Sequence, residues 1–160
     1  MGSLGSLINH KMTYIDRVRN VLHKNEFSHK FLVKYAYECA MYANSFGSTR
    51  IASECLNLVE QWLHGKNITT DELMDAAREA YQSFTVTPSE YARNAAARAA
   101  YAAAGRMACS HAAHAAYAAN QATHPTYEID EERGKHYYDL LINMINNMSE
   151  LEKLLLDIKL

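Results

Sequence analysis

The sequence predicts an all-α, single-domain helical bundle, on three observations. Apolar residues recur at three- and four-residue steps along most of the chain, the spacing that collects them on one helix face. The 2 prolines and 6 glycines fall mostly between those periodic segments and act as punctuation. From Ala92 to Ala119 more than half of the residues are alanine, the strongest helix former. Together these give about six helices around a long Ala-rich central helix, closed by a C-terminal heptad helix. At 160 residues one core is enough, since a chain of this length buries roughly 70% of its unfolded surface.

Residues 1–11 carry Gly2, Ser3, Gly5 and Ser6 and lack the charged-then-apolar order of a secretory signal. They read as a flexible lead-in or cloning remnant, and Met12, where the first helical period begins, is a candidate start. The single helical domain is then 12–160. Its first helix runs over about Thr13 to His23, with Tyr14, Val18, Val21 and Leu22 in period. The second, about Ser28 to Ser45, repeats Phe31, Leu32, Tyr35, Cys39, Tyr42 and Ala43, and Gly47 ends it. The third, about Ser48 to His64, aligns Ile51, Cys55, Leu58, Val59 and Trp62, with Gly65 where a left-handed C-cap belongs.

Thr69 and Glu72 predict a capping box for a fourth helix that reaches about Ser83. The fifth opens on Thr87, Pro88 and Glu90: an N-cap hydroxyl, a proline whose missing N–H costs nothing at the first helical position, and a reciprocal carboxylate. Its pattern lasts to Thr123, which as one rod would span about 50 Å, and Gly105 is the place for it to bend. Glu90, Asn94, Arg98 and Tyr101 fall on one side of this helix, whereas Arg106, Ser110, His114, Tyr117 and Gln121 fall nearly opposite. A wet face that changes sides implies different neighbours along the length, hence a central position. The sixth helix, about Asp130 to Lys159, strings Tyr137, Leu141, Met144, Met148, Leu151, Leu155 and Ile158 at steps of four and three, a heptad seam that seeks a partner helix. Leu140, Ile145 and Leu154 widen it to the stripe of a core-facing helix, while a homodimer through the same seam is the alternative.

Charge and composition narrow the function. With 21% charged residues and a net charge of −2, the chain shows no basic stripe to neutralise a row of phosphates, which argues against nucleic acid. No run of about 18 strongly apolar residues occurs, so no membrane span is expected. Cys39, Cys55 and Cys109 are odd in number and set in helical patterns; they read as thiols of a reducing, cytoplasmic compartment.

Cys109, His111 and His114 are the first place to look for a metal or a nucleophile. Zinc needs three or four ligands, and no carboxylate nearby on the helix completes a set. The two-residue step from Cys109 to His111 points those side chains apart, against a thiolate–imidazole pair. No Gly-rich phosphate loop, nucleophile elbow or paired acidic motif appears. The expectation is therefore a protein without cofactor or metal and without catalysis. Arg98, Tyr101, Arg106, His111, His114 and Tyr117 instead rise from a floor of alanines, polar and aromatic groups able to line a binding cleft.

The stretch from about Lys30 to Ala122 resembles a family of small Ala- and His-rich bacterial immunity proteins associated with polymorphic toxins. The resemblance rests on residues 31–40 (Phe-Leu-Val-Lys-Tyr-Ala-Tyr-Glu-Cys-Ala), on residues 61–66 (Gln-Trp-Leu-His-Gly-Lys), and on Ala103-Ala104-Gly105-Arg106 leading to His111, His114 and Ala116-Tyr117-Ala118. Tyr35 stands where that family has a tryptophan, its acidic-proline loop after the second helix is missing, and the heptad helix is additional. The resemblance implies an inhibitor that neutralises a protein target, a toxin or defence effector, by covering its surface. A phage-encoded anti-defence inhibitor such as an anti-CRISPR protein, and a module sequestering a nucleotide-like anion through Arg98, Arg106, His111 and Tyr117, are the alternatives.

Overall fold

The computed structural model describes residues 12–47, 49–81, 88–105, 107–123 and 134–160. Eight helices stand among them: α1 (Tyr14–Lys24), α2 (His29–Asn44), α3 (Arg50–Leu63), α4 (Thr70–Tyr81), α5 (Pro88–Ala104), α6 (Ala108–Thr123), α7 (Lys135–Asn146) and α8 (Glu150–Leu156). No strand occurs among the described residues, and no helix there is long and apolar enough to cross a membrane. The fold is all-helical, as expected, but eight helices replace six because both long helices break.

Capping residues set several boundaries. Ser28 and Thr49 each accept a backbone N–H of the first turn, at 3.1 Å in both cases, so α2 and α3 start one residue beyond them. Thr69 accepts from the Glu72 N–H at 3.1 Å, and the Glu72 carboxylate takes the Thr69 hydroxyl at 3.2 Å. A reciprocal capping box opens α1, where Thr13 and Asp16 satisfy each other's backbone N–H at 3.1 and 3.2 Å. The lead-in at 1–11, the α3 start expected at Ser48 and the cap expected at Thr87 lie outside the described residues.

The expected rod from Thr87 to Thr123 is corrected to a helical hairpin. Gly105 has φ +114° and Met107 φ +55°, left-handed values at which a right-handed helix cannot continue. The chain reverses there, and α6 lies along α5. Alanine permits this close approach: Ala95, Ala96, Ala99, Ala102, Ala112, Ala115, Ala116 and Ala119 are all at 0% exposure. The remaining helices cover the hairpin unequally, α2, α3 and α4 against α5, and α1 and α2 against α6. The change of wet face at Gly105 therefore marks a reversal of direction. In place of one rod gripped at its two ends, a pair of half-length rods fills the middle.

The C-terminal helix is corrected as well. It breaks at Asn147, whose N–H bonds back to Asn143 and Ile145, and restarts when Ser149 caps α8 through the Glu152 N–H at 3.1 Å. The seam divides at that break. Tyr137, Leu141 and Ile145 of α7 are buried against α1 and α2, whereas Leu151 and Leu155 of α8 are exposed. Residues 130–133, at the expected start, lie outside the described residues.

Two polar ties lock the periphery to the core. Tyr35, fully buried on α2, donates to the Tyr137 carbonyl at 2.7 Å, and the Tyr137 hydroxyl donates to the Ala119 carbonyl at 2.9 Å, which joins α2, α7 and α6. Asn25, just past α1, brackets Lys159: its Oδ1 accepts the Lys159 N–H at 2.6 Å and its Nδ2 donates to the Lys159 carbonyl at 2.7 Å.

Candidate functional site

The hairpin turn decides the site. On a straight helix Arg98 and His114 would point to opposite sides, but folding α6 back along α5 brings both to one surface. Arg98 Nη1 lies 3.3 Å from His111 Nδ1, its guanidinium carbon sits 5.2 Å from the centre of the Tyr81 ring, and its Nη2 is 3.5 Å from the Tyr81 hydroxyl. On the other flank the Tyr101 ring stacks on His111 with centroids 5.2 Å apart. His114 lies one turn beyond and is exposed, as is Tyr117. Arg98, Tyr101, His111 and His114 thus belong to one cluster; no bond ties Tyr117 to it, and Arg106 lies outside the described residues.

Helix α1 adds residues that the sequence reading missed. Burial, Arg98 and His114 all hold the His111 ring below its usual pKa. His114 is lowered by burial, then by Arg98, Arg19 and His23, so the end of α1 faces the same surface. Among the described residues, the carboxylate bonded to a member of this group is Asp16, at 2.9 Å from Arg19. Arg19, His23, Arg98, His111 and His114 therefore share one face, with Tyr81 and Tyr101 as its aromatic floor; its fixed positive charges are Arg98 and Arg19, the latter paired with Asp16. Arg19, His23 and Tyr81 are distant in sequence from Arg98, and only the packing of α1 and α4 onto the hairpin brings them there.

Cys109 takes a structural role. Its thiol donates to the Leu22 carbonyl at 3.1 Å, filling one of the acceptors that a helix end leaves open, and lies 3.5 Å from His23 Nδ1. Burial raises its pKa, which keeps it a thiol at neutral pH. Cys55 is pushed up to about 12 by burial and donates to the Ala96 carbonyl at 3.4 Å. Among the described residues no group of three His, Cys, Asp or Glu side chains is placed to hold a metal ion.

A second surface stands out by inversion of the usual order. Burying a leucine stabilises a fold by about 1.5–3 kcal/mol and an alanine by much less, so leucines ordinarily go inside first. Here most alanines of the hairpin are buried while Leu151, Leu154, Leu155 and Leu160 remain 64%, 77%, 74% and 61% exposed. Leu154 and Leu160 also line a shallow groove of about 300 Å³, together with Ile145, Asn146, Lys153, Asp157 and Ile158.

No protein-family model, curated protein or solved structure matches this chain.

Proposed function

We propose that the chain is a non-catalytic inhibitor of the immunity type, which binds a protein target in the cytoplasm and neutralises it by covering an acidic surface. The observation that carries this reading is the face that gathers Arg19, His23, Arg98, His111 and His114, in which Arg98 lies over Tyr81 and beside the stacked Tyr101–His111 pair. Arginine and tyrosine supply much of the binding energy at protein interfaces, and the Arg98 guanidinium, which has no ion pair among the described residues, favours a partner of opposite charge. Such an inhibitor serves equally against a toxin, against a defence effector or, in a phage, against an anti-phage system. Nothing in this use requires a cofactor.

A second reading has one observation in its favour. Arg98 lies over an aromatic ring and beside another stacked aromatic pair, an arrangement that also suits a small planar anion such as a nucleotide. Two experiments separate the readings. The full chain, immobilised, should retain an acidic protein from bacterial lysate at low salt and lose it when Arg98→Glu and His114→Glu are introduced. Calorimetric titration with mono- and dinucleotides should give no heat of binding. Nucleotide binding abolished by Arg98→Glu, together with no protein retained, would replace the inhibitor by a ligand-sequestering module.

A further inference from the structure

We propose that docking of an acidic side chain of the target on Arg98 is coupled to protonation of His111, so that the face binds more tightly as the medium acidifies from about pH 8 to about pH 6. This rests on the reading of the face as a site for an acidic partner, and adds to it the solvent proton that binding takes up.

Arg98 is available to such a group. One N–H of its guanidinium points to His111 Nδ1 at 3.3 Å and another to the Tyr81 hydroxyl at a long 3.5 Å, which leaves further donors over. No carboxylate pairs with Arg98 among the described residues, whereas Arg19, the other arginine of the face, is held by Asp16 at 2.9 Å. A carboxylate on Arg98 forms charge-assisted bonds, roughly twice as strong as one to a neutral acceptor such as the imidazole.

His111 is placed to answer that change. Its Nδ1 accepts from Arg98, so the ring takes a second proton only when Arg98 turns to another acceptor. A bound carboxylate serves both groups: it accepts from the guanidinium, and its negative charge beside the ring favours the imidazolium. The Tyr101 ring, stacked on His111 with 5.2 Å between centroids and 24° between planes, presents a π face to that cation.

The surroundings of His111 make the free ring hold that proton weakly. Burial comes first, then the Arg98 guanidinium of α5 and His114 on α6 itself. From α1, Arg19 and His23 act on His114, and from α4 Tyr81 reaches the cluster through Arg98. Cys109 turns away to the Leu22 carbonyl, and no charged or titratable side chain of α2, which also packs on α6, acts on His111. Apart from Asp16, already held by Arg19, negative charge therefore arrives only with the partner. The complex binds the proton more tightly than the free face, so affinity rises as pH falls through the interval between the two pKa values, by at most about ten-fold per pH unit for one proton.

The test is calorimetric titration of the full chain with a short polyglutamate peptide at about pH 8 and about pH 6, in two buffers of different ionisation enthalpy, with circular dichroism to follow folding. Affinity should be at least about three-fold tighter at the lower pH, and the heats in the two buffers should differ by the uptake of up to about one proton. The His111 ring titration, followed by NMR, should move upward in saturating peptide. Arg98→Met should weaken binding at both pH values. His111→Asn keeps an acceptor for Arg98 but cannot titrate, and should bind with one affinity at both; His114→Asn, with no bond to Arg98, should keep the pH dependence. Equal affinity of the unaltered chain at the two pH values, or a pH dependence that survives His111→Asn, would overturn the coupling and leave the acidic-partner reading standing. No binding at either pH, or binding indifferent to Arg98→Met, would overturn that reading and the coupling with it.

Discussion

Arg98 of α5 donates from Nη1 toward Nδ1 of His111 on α6 across 3.3 Å. A guanidinium has no lone pair to offer, so the imidazole must be the acceptor, which places its proton on Nε2 and keeps the ring neutral. The two halves of the hairpin are thus joined by a bond that exists only while His111 is uncharged.

The pH dependence of stability follows from that relationship. His111 and His114 have folded pKa values below the ordinary 6.5, through burial first and then neighbouring cations. The unfolded chain then binds their protons more tightly than the folded one, and stability rises with pH across this range. Their contribution is complete above pH 6.5 and is lost as pH falls through the lowered values. Thermal midpoints should drop between about pH 7 and about pH 5, and Arg98→Met should return the His111 titration, followed by NMR of the ring protons, toward its ordinary position. A His111 titration unmoved by Arg98→Met would mean that the guanidinium does not govern it.

Tyr35 offers a measure of the polar ties. Its hydroxyl is buried and donates to the Tyr137 carbonyl at 2.7 Å. Tyr35→Phe keeps the ring and removes that bond, so denaturant unfolding should show a loss of about 1–2 kcal/mol with an unchanged slope. Tyr137→Phe, which frees both the Ala119 carbonyl and the Thr123 hydroxyl at 3.0 Å, should cost at least as much.

Overpacking tests the close approach of α5 and α6. Ala115 is at 0% exposure on the helix that lies along α5. Ala115→Leu inserts three carbons where none fit and should cost about 1–3 kcal/mol or more, read as a lowered midpoint in urea. Tyr117→Ala, only two residues away but 54% exposed, should leave stability within about 0.5 kcal/mol.

The Asn25 bracket should be visible by hydrogen exchange. Asn25→Ala removes two bonds to Lys159 and one, at 2.8 Å, to the Val21 carbonyl. The Lys159 amide should lose its protection while amides in the α5–α6 hairpin keep theirs. Equal loss in both regions would show that the tail unfolds together with the core.

How much of this was legible in the sequence depends on the range of the interaction concerned. Ser28, Thr69 and Gly65 announced their boundaries because a cap is a contract among residues three or four apart. The change of polar side around Gly105 was equally plain, yet it read as a bend with new neighbours. A face that switches sides at a glycine fits a bend and a full reversal alike, and the left-handed backbone at both Gly105 and Met107 decides between them. Within the candidate site, Arg98, Tyr101, His111 and His114 stood out as large side chains on an alanine floor. Tyr81, Arg19 and His23 carried no such contrast, since each sits on an ordinary amphipathic helix.

By itself the sequence determined that this protein is helical, where several helices begin and that the alanine-rich segment lies within the core, because periodicity, capping and side-chain size act over a few residues. Only the tertiary structure decided that this segment is a hairpin, that five cationic or titratable side chains share one face, and that Leu151 and Leu155 of the heptad seam are left outside. Those outcomes depend on which surfaces meet across scores of residues. Two alanine-faced helices pack on each other, and among the described residues no helix packs extensively against the part of the seam on α8.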